Sequence, residues 1–252
     1  MPVLKLSDSK IHYEVRGGGY PILLFAPGFL SSRMERWRTN PAKPGVPQDF
    51  LDPAPVLSPH FKLIAHDVRN AGQSRGGAGP EDGWHSYLGD ALALLDHLGI
   101  ARCHVMGACI GVTFALALAQ ARPGLVTAMV LQNPIGLGNH SRNRHAIDDE
   151  VAQWIDQVKG FPGLKLDQLE EFGRRMFAAD FLFAVPRDFL RSCMIPMLLM
   201  PGDDTMHPAE VSAEIVRLAP HTKVVAPWKG AQHKENAMQR AKAFFTAHEP
   251  RD

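Results

Sequence analysis

Short runs of apolar residues recur along the chain and are bounded by glycine, proline or aspartate. A continuous apolar run of this length is typical of a strand that is buried on both faces of a sheet. The predicted buried strands are residues 21–26, 61–66, 101–106, 126–131 and 195–200. Two further segments alternate apolar and polar residues, as expected of a short antiparallel pair, and a last strand is predicted near the C-terminus. These are residues 3–6, 10–15 and 223–226.

Segments with apolar residues at helical spacing separate these runs. The spacing predicts helices over residues 86–98, 110–121, 209–218 and 235–247. Alternation of strands and helices favours an α/β fold with a mostly parallel central sheet and helices on both faces. Ligands of such sheets bind beyond the carboxyl ends of the strands, so we expect the functional residues in the turns at that edge.

The pattern changes between residues 135 and 193. Strands disappear, and helices are predicted over residues 148–158, 166–178 and 181–190. This suggests a small helical cap inserted into a core formed by residues 1–134 and 194–252. The cap carries more aromatic residues than it could bury alone, so some should pack on the core or line a pocket. Trp154 and Phe29 are the expected apolar walls of that pocket.

Residues 30–60 contain six prolines after a short helical stretch at residues 31–38. They form either an irregular surface excursion or the rim of a site, since long ordered loops in compact domains are usually functional. After the next strand, Asp67 and Arg69 are expected to pair with each other and fix the turn. His66, His104 and His207, near strand ends, are expected to be structural.

The composition argues against several classes of function and partner. The 252 residues are 45% hydrophobic and carry a net charge of +1, so nucleic acid is not an expected partner. No apolar run reaches the roughly 18 residues of a membrane span, and the N-terminus lacks the pattern of a signal peptide. Three cysteines without regular spacing are not a disulfide framework, so a reducing, cytoplasmic location is expected. We find no convincing metal-ligand spacing and expect no metal.

One motif suggests covalent chemistry. Gly107 and Gly111 flank Cys109 at two positions on either side, where a predicted buried strand runs into a helix. A nucleophile on such a sharp turn has an unfavourable backbone conformation, and a larger residue at either flanking position would collide with the opposing backbone. The helix N-terminus favours a thiolate and a developing oxyanion. The alternative is a buried cysteine in a glycine-flanked bend.

Four turns should converge at the carboxyl edge of the sheet. They contain Gly28-Phe29, Cys109, Asp203-Asp204 and Gln232-His233. The order of nucleophile, acid and histidine, together with the elbow and the helical cap, resembles the α/β-hydrolase fold over nearly the whole chain. The family more often has serine at the elbow and histidine before the glycine of the first turn, where this chain has Cys109 and Pro27. A cysteine nucleophile is similar to the dienelactone hydrolases, whereas the cap is similar to capped esterases and C–C bond hydrolases.

The resemblance implies a role for each residue. His233 would be the general base and Asp204 the acid that orients it, with Asp203 as the rival for that acid. The backbone N–H groups of Phe29 and Ile110 would hold the oxyanion.

The expected function is a cofactor-independent hydrolase of small-molecule carboxylic esters or lactones that forms an acyl-cysteine intermediate. Two alternatives of the same fold are a C–C bond hydrolase and an acyltransferase. A third is a non-catalytic ligand-binding receptor. No nucleic-acid or membrane partner is expected, and a homodimer is allowed.

Overall fold

A computed structural model describes residues 2–40, 49–137 and 143–250. Residues 41–48 of the proline-rich segment and residues 138–142 of the predicted cap therefore lie outside the described residues. Within them, nine strands form one sheet in the order β1-β2-β4-β3-β6-β7-β8-β9, and β5 pairs with β2. The strands are β1 Val3–Lys5, β2 Ser9–Arg16, β3 Pro21–Phe25, β4 Lys62–His66, β5 Arg75–Gly76, β6 Cys103–Ala108, β7 Val126–Gln132, β8 Met197–Met200 and β9 Thr222–Val224.

The sheet is mostly parallel, as predicted. Strands β3, β4, β6, β7, β8 and β9 pair in parallel, while β1, β2 and β5 pair in antiparallel fashion. The carboxyl ends of the parallel strands meet at one edge, and this edge carries the turns with candidate chemistry.

Helices cover both faces of the sheet. They are α1 Ala54–Leu57, α2 Trp84–His97, α3 Ile110–Ala121, α4 Arg144–Val158, α5 Leu166–Met176, α6 Arg187–Ser192, α7 Ala209–Leu218 and α8 Ala231–Ala247. Alternate residues of β3 enter different cores: Leu23 and Phe25 pack with α2, α3 and α7, whereas Ile22 and Leu24 pack with α1 and α8. This alternation explains why the central strands are apolar throughout.

Helices α4, α5 and α6 lie between β7 and β8. Gly173 lets α5 approach α4 closely, because a Cβ atom there would lie 2.4 Å from a methyl carbon of Val151. Ser31, in a 3₁₀ helix over Phe29–Ser31, donates a hydrogen bond to the Gln157 side chain at the end of α4 (3.2 Å). The division into a core and a cap at residues 135 and 193 stays a prediction.

Several predicted helix boundaries are wrong: α4, for example, begins at Arg144 rather than at residue 148. The helix predicted over residues 181–190 is only α6, because Phe181 and Phe183 have left-handed backbone conformations (φ 56° and 59°) and Phe181 pairs with Leu137 instead. Helix α8 begins at Ala231 rather than at residue 235, which places His233 inside its first turn.

The expected Asp67–Arg69 pair is also wrong. The Asp67 carboxylate accepts hydrogen bonds from the His12 ring and from the backbone N–H groups of Met34 and Gln73. Arg69 instead forms a two-pronged contact with Asp90 (2.8 and 2.9 Å). Among the described residues, no helix is long and apolar enough to cross a membrane.

Candidate active site

Cys109 lies on the sharp turn that joins β6 to α3. Its φ of 56° and ψ of −119° are a strained conformation for a non-glycine residue. A Cβ atom on Gly107 would lie 2.2 Å from the Gly111 carbonyl oxygen, and one on Gly111 would lie 2.1 Å from the Phe25 carbonyl oxygen. The predicted steric need for both glycines is therefore confirmed.

The nucleophile candidate is buried and held by the sheet. Cys109 is only 4% exposed, and its backbone N–H donates to the Gln132 carbonyl at the end of β7 (3.0 Å). The Gln132 side chain in turn bonds both the N–H and the carbonyl oxygen of Leu51 (2.8 and 3.3 Å). The elbow is thereby linked to the segment that precedes α1.

His207 lies between Cys109 and Asp204. Its Nδ1–H donates to the Asp204 carboxylate (2.9 Å to Oδ1), and its backbone N–H donates to the same oxygen (2.8 Å). Its Nε2 atom is buried and, within the described chain, makes no hydrogen bond of ordinary geometry. Since Nδ1 is taken by Asp204, Nε2 is the ring atom that can exchange a proton with the thiol.

The charges around His207 favour the protonated form of its imidazole. Burial alone would lower the pKa of His207, but the Cys109 thiolate and the hydrogen bond to Asp204 outweigh it and raise the pKa to about 9. Burial also disfavours the Asp204 carboxylate, yet His207 and the Lys229 ammonium hold the pKa of Asp204 well below its ordinary value. A protonated His207 that is oriented by the Asp204 carboxylate is thus the favoured state near neutral pH.

The turn after β8 brings Asp204 and His207 together because it closes tightly. A Cβ atom on Gly202 would lie 2.3 Å from the His207 carbonyl oxygen, so only glycine fits there. The Gly202 N–H is held by the Ser212 hydroxyl of α7 (2.9 Å). Asp203 points elsewhere: its carboxylate contacts the Lys229 ammonium. Of the two rival acids, the structure places Asp204 against a histidine.

His233 lies in the first turn of α8. Its backbone N–H donates to Gly230 (3.1 Å), and the imidazole is partly exposed. Among the described residues, the His233 side chain has no hydrogen bond, ion pair or ring contact. The structure therefore brings His207, and not His233, to Asp204. The catalytic role of His233 stays a prediction.

The expected oxyanion donors flank the elbow. Phe29 opens a 3₁₀ helix with a left-handed φ of 53°, and Ile110 is the first residue of α3. Neither backbone N–H donates a hydrogen bond within the described chain. Both are therefore available to a ligand oxygen. Their assignment as an oxyanion hole stays a prediction.

The two expected pocket walls differ in their surroundings. The Phe29 ring packs edge-on against Phe177 at the end of α5 (5.7 Å between centroids). Trp154 of α4 is fully buried and packs on Phe172 of α5, with 5.7 Å between the ring centroids. The Phe29 ring thus contacts the end of α5, and Trp154 contacts the middle of α5; contact of either with substrate stays a prediction.

Position near a strand end gives no reason to single out His207 from His66 and His104, which are all expected to be structural. Burial lowers the pKa of His66 and His104 to about 4, as expected of neutral core residues, whereas His207 contacts Asp204. The signal that separates His207 is its position three residues after Asp204 and directly before Pro208, at the carboxyl edge of the sheet. Phe50 covers its ring edge-on at 5.9 Å. No group of three or more potential metal ligands is found within the described residues.

Comparisons with known proteins agree with this architecture. A sequence model described as "alpha/beta hydrolase fold" matches residues 21–181. The chain is 25% identical to N-formylmaleamate deformylase of Pseudomonas putida KT2440 over 77% of its own length and 65% of that protein, which is less than two thirds. It is 27% identical to a Pseudomonas syringae protein named "Putative carbamate hydrolase RutD" over 76% of this chain and 77% of that one.

Solved structures share the fold at low identity. The meta-cleavage product hydrolase CumD superposes with a TM-score of 0.71 at 17% identity, covering 98% of both chains. This likeness concerns the fold alone. More than half of the chain lies within the region that the family model matches, and the protein therefore belongs to the alpha/beta hydrolase fold family.

Proposed function

We propose that this protein is a cofactor-independent hydrolase that attacks the acyl carbonyl of a small ester or lactone with the Cys109 thiolate. The observation that carries the proposal is the contact of the buried Cys109, on a strained elbow at the carboxyl edge of the sheet, with the buried His207, whose ring is held by the more exposed Asp204. We assign the base to His207 because its ring is held by Asp204 and acts on the thiol. His233 is the alternative base that the family resemblance implies.

The proposed reaction has two halves. The Cys109 sulfur forms a bond to the carbonyl carbon, and the negative charge moves to the carbonyl oxygen, near the N–H groups of Phe29 and Ile110. The C–O bond to the leaving group then breaks, and the Nε2 proton of His207 passes to the leaving oxygen. Neutral His207 next takes a proton from water, the hydroxide displaces the thiolate from the thioester, and the acid is released.

The thiolate chemistry favours activated acyl groups. A protonated His207 can deliver its proton to an alkoxide without delay, and the thioester that results is readily hydrolysed. An amine is a poorer leaving group, so ordinary peptides are disfavoured substrates. A second candidate is an activated acyl–nitrogen bond, because relatives are named as a deformylase and as carbamate hydrolases.

The test uses 4-nitrophenyl acetate and mass spectrometry of the quenched protein. We expect release of 4-nitrophenolate and a Cys109-linked acetyl group in the wild type, and loss of both in Cys109→Ala. Cys193→Ala is the matched control, because Cys193 is also buried and free but lies between α6 and β8. It should retain turnover.

The outcome that contradicts the proposal is full turnover by the folded Cys109→Ala protein. A folded wild type that releases no product from aryl esters, lactones, formamides or carbamates would favour the receptor alternative instead.

A further inference from the structure

Lys229 lies beside the proposed acid of the active site. It belongs to the segment between β9 and α8, and its side chain is only 23% exposed. Its ammonium contacts Oδ2 of Asp204 (3.3 Å) and Oδ1 of Asp203. The family resemblance implies His233, four residues further along, as the partner of Asp204. In the structure the segment before α8 brings a cation to this acid instead.

The main chain of the turn after β8 is anchored near both of its ends. The buried Trp228 donates its indole N–H to the Pro201 carbonyl (2.8 Å). The side-chain amide of Asn143, directly before α4, donates to the Met206 carbonyl (3.2 Å). These two bonds fix the backbone of the turn, but neither acts on the Asp204 carboxylate. The orientation of that carboxylate therefore depends on other contacts.

The two oxygens of Asp204 have different partners. Oδ1 accepts the backbone N–H and the Nδ1–H of His207 (2.8 and 2.9 Å). Oδ2 lies 3.1 Å from the same Nδ1 and 3.3 Å from the Lys229 ammonium. Within residues 2–40, 49–137 and 143–250, Lys229 is the only partner of this carboxylate from outside its own turn. The Asp204 side chain is 45% exposed, so without Lys229 its Oδ2 would face water and the carboxylate would be free to rotate.

A second carboxylate–imidazole pair in the same protein shows what Asp204 lacks. The Asp67 carboxylate holds the His12 ring (2.9 Å), and each of its oxygens also accepts a backbone N–H (3.0 Å each). Its side chain is only 6% exposed. Asp67 is thus fixed by backbone donors on both oxygens, whereas Asp204 has a backbone donor on Oδ1 alone among the described residues. Lys229 supplies the missing donor to the other oxygen.

The neighbouring Asp203 adds a second reason for a cation at this place. Two ionised carboxylates on adjacent residues repel each other, and this repulsion would turn Asp204 away from His207. Lys229 contacts both carboxylates and offsets the repulsion. Burial opposes ionisation of Asp204, but His207 and Lys229 hold the pKa of its carboxyl group well below the ordinary value. Asp204 therefore carries its negative charge at neutral pH.

We propose that Lys229 is a positioning residue of the active site, which holds the Asp204 carboxylate in the orientation that accepts the Nδ1–H of His207. It acts on the reaction only through Asp204. An ammonium suits this position because its three donors can serve oxygens from two different residues. A carboxylate that orients the catalytic imidazole must itself be held in place. This inference rests on the proposed hydrolase function.

The first test measures kcat and KM for 4-nitrophenyl acetate. An ion pair of this exposure corresponds to about 2- to 5-fold, which is the loss of kcat that we expect in Lys229→Met. KM should stay unchanged, because the lysine acts through Asp204 and not on the substrate. Lys229→Arg keeps the charge and should keep most of the wild-type kcat. Lys223→Met is the matched control, since Lys223 is exposed on β9 and should leave kcat unchanged.

Two double variants separate positioning from a merely structural role. In an Asp204→Asn background, Lys229→Met should cause no further loss of kcat, because the carboxylate through which the lysine acts is absent. Asp203→Asn should restore part of the kcat that Lys229→Met loses, because the repulsion between the two carboxylates is removed. A lysine that only tethers its loop to Asp203 would produce neither result.

A folded Lys229→Met protein with the kcat of the wild type overturns the inference. An equal loss of kcat from Lys229→Met in the wild-type and the Asp204→Asn backgrounds overturns it as well. Circular dichroism checks that each variant is folded. If Lys229→Met does not fold, Lys229→Gln takes its place in every comparison, with the same expected loss and the same contradicting results.

Failure of the proposed function has a different signature. In that case the wild type releases no 4-nitrophenolate, or Cys109→Ala releases it as fast as the wild type. Turnover that depends on Cys109 but is unchanged in Lys229→Met leaves the hydrolase function standing and removes the role of Lys229.

Discussion

The nucleophile elbow and the two histidine-bearing turns meet the same edge of the sheet, but they are specified in different ways. The elbow depends on contacts between residues that are close in sequence: Gly107 touches Gly111, and Cys109 separates them. The turns after β8 and β9 each offer a histidine, and only the three-dimensional arrangement decides which one reaches Cys109. His207 does so with Asp204 as its partner, while His233 begins a helix.

This difference shows when a short sequence motif is enough to predict the position of a functional residue. A steric rule that operates over five residues can be worked out from the residue types alone. The choice of a base operates over about one hundred residues, because Cys109 and His207 are brought together by the sheet. The following variants test this comparison between the elbow and the histidine-bearing turns.

The largest expected effect is the difference between the two histidines. His207→Ala should lower kcat/KM for an aryl ester by about 10²- to 10⁴-fold, because proton transfer to and from the thiol and the leaving group is lost. His233→Ala should cost much less. The measurement is steady-state release of 4-nitrophenolate by both variants. The reverse order would return the role of base to His233.

The second comparison separates the two neighbouring carboxylates. Both Asp203 and Asp204 contact Lys229, but only Asp204 accepts the Nδ1–H of His207. Asp204→Asn should lower kcat by about 10²-fold, because the amide neither fixes the tautomer nor stabilises the imidazolium. Asp203→Asn is the matched control for the shared lysine contact. Equal losses in the two variants would contradict the assignment of Asp204.

A third change tests the elbow itself through stability. Gly107→Ala should lower the free energy of unfolding by about 1–3 kcal/mol, because the added methyl group overlaps the Gly111 carbonyl. Gly89→Ala is the control: Gly89 lies within α2, a Cβ there meets nothing within 4 Å, and a gain of about 0.5–1 kcal/mol is expected. Urea titration measures both. A Gly107→Ala protein as stable as the wild type would refute the steric argument.

The fourth comparison concerns the pH dependence of stability. The pKa of His207 is raised to about 9 in the folded protein, above the value of about 6.5 in an unfolded chain. Its contribution is therefore fully present below about pH 6.5 and is lost as the pH rises through about 9. Urea unfolding across this range should show a steeper decline in the wild type than in His207→Gln. Equal slopes would show that His207 is not charged in the folded state.

Much of the fold could be predicted from the sequence because its signals are local. The apolar runs mark the parallel strands, and α3 and α7 begin and end where the periodicity places them. The helix predicted over residues 181–190 failed because left-handed residues are not visible in an apolar pattern. The Asp67–Arg69 pair failed because each side chain finds partners on other segments, His12 and Met34 for one and Asp90 for the other.

Only part of the candidate site could be predicted from the sequence, because some of its contacts join segments that are far apart along the chain. Cys109 and Asp204 can be proposed from the spacing of residues in their turns. His207 can be recognised only from its position beside the Cys109 sulfur, which is remote along the chain.

Gln132 has a consequence for how this protein can evolve. Its main chain holds the elbow, and its side-chain amide acts on Leu51 as a neighbouring strand would, with one donor and one acceptor. Glutamate at this position would replace the side-chain NH₂ donor by a second acceptor oxygen, which would face the Leu51 carbonyl oxygen. A hydrophobic residue would offer neither a donor nor an acceptor to Leu51. Random mutagenesis with selection for activity should therefore tolerate few replacements at position 132.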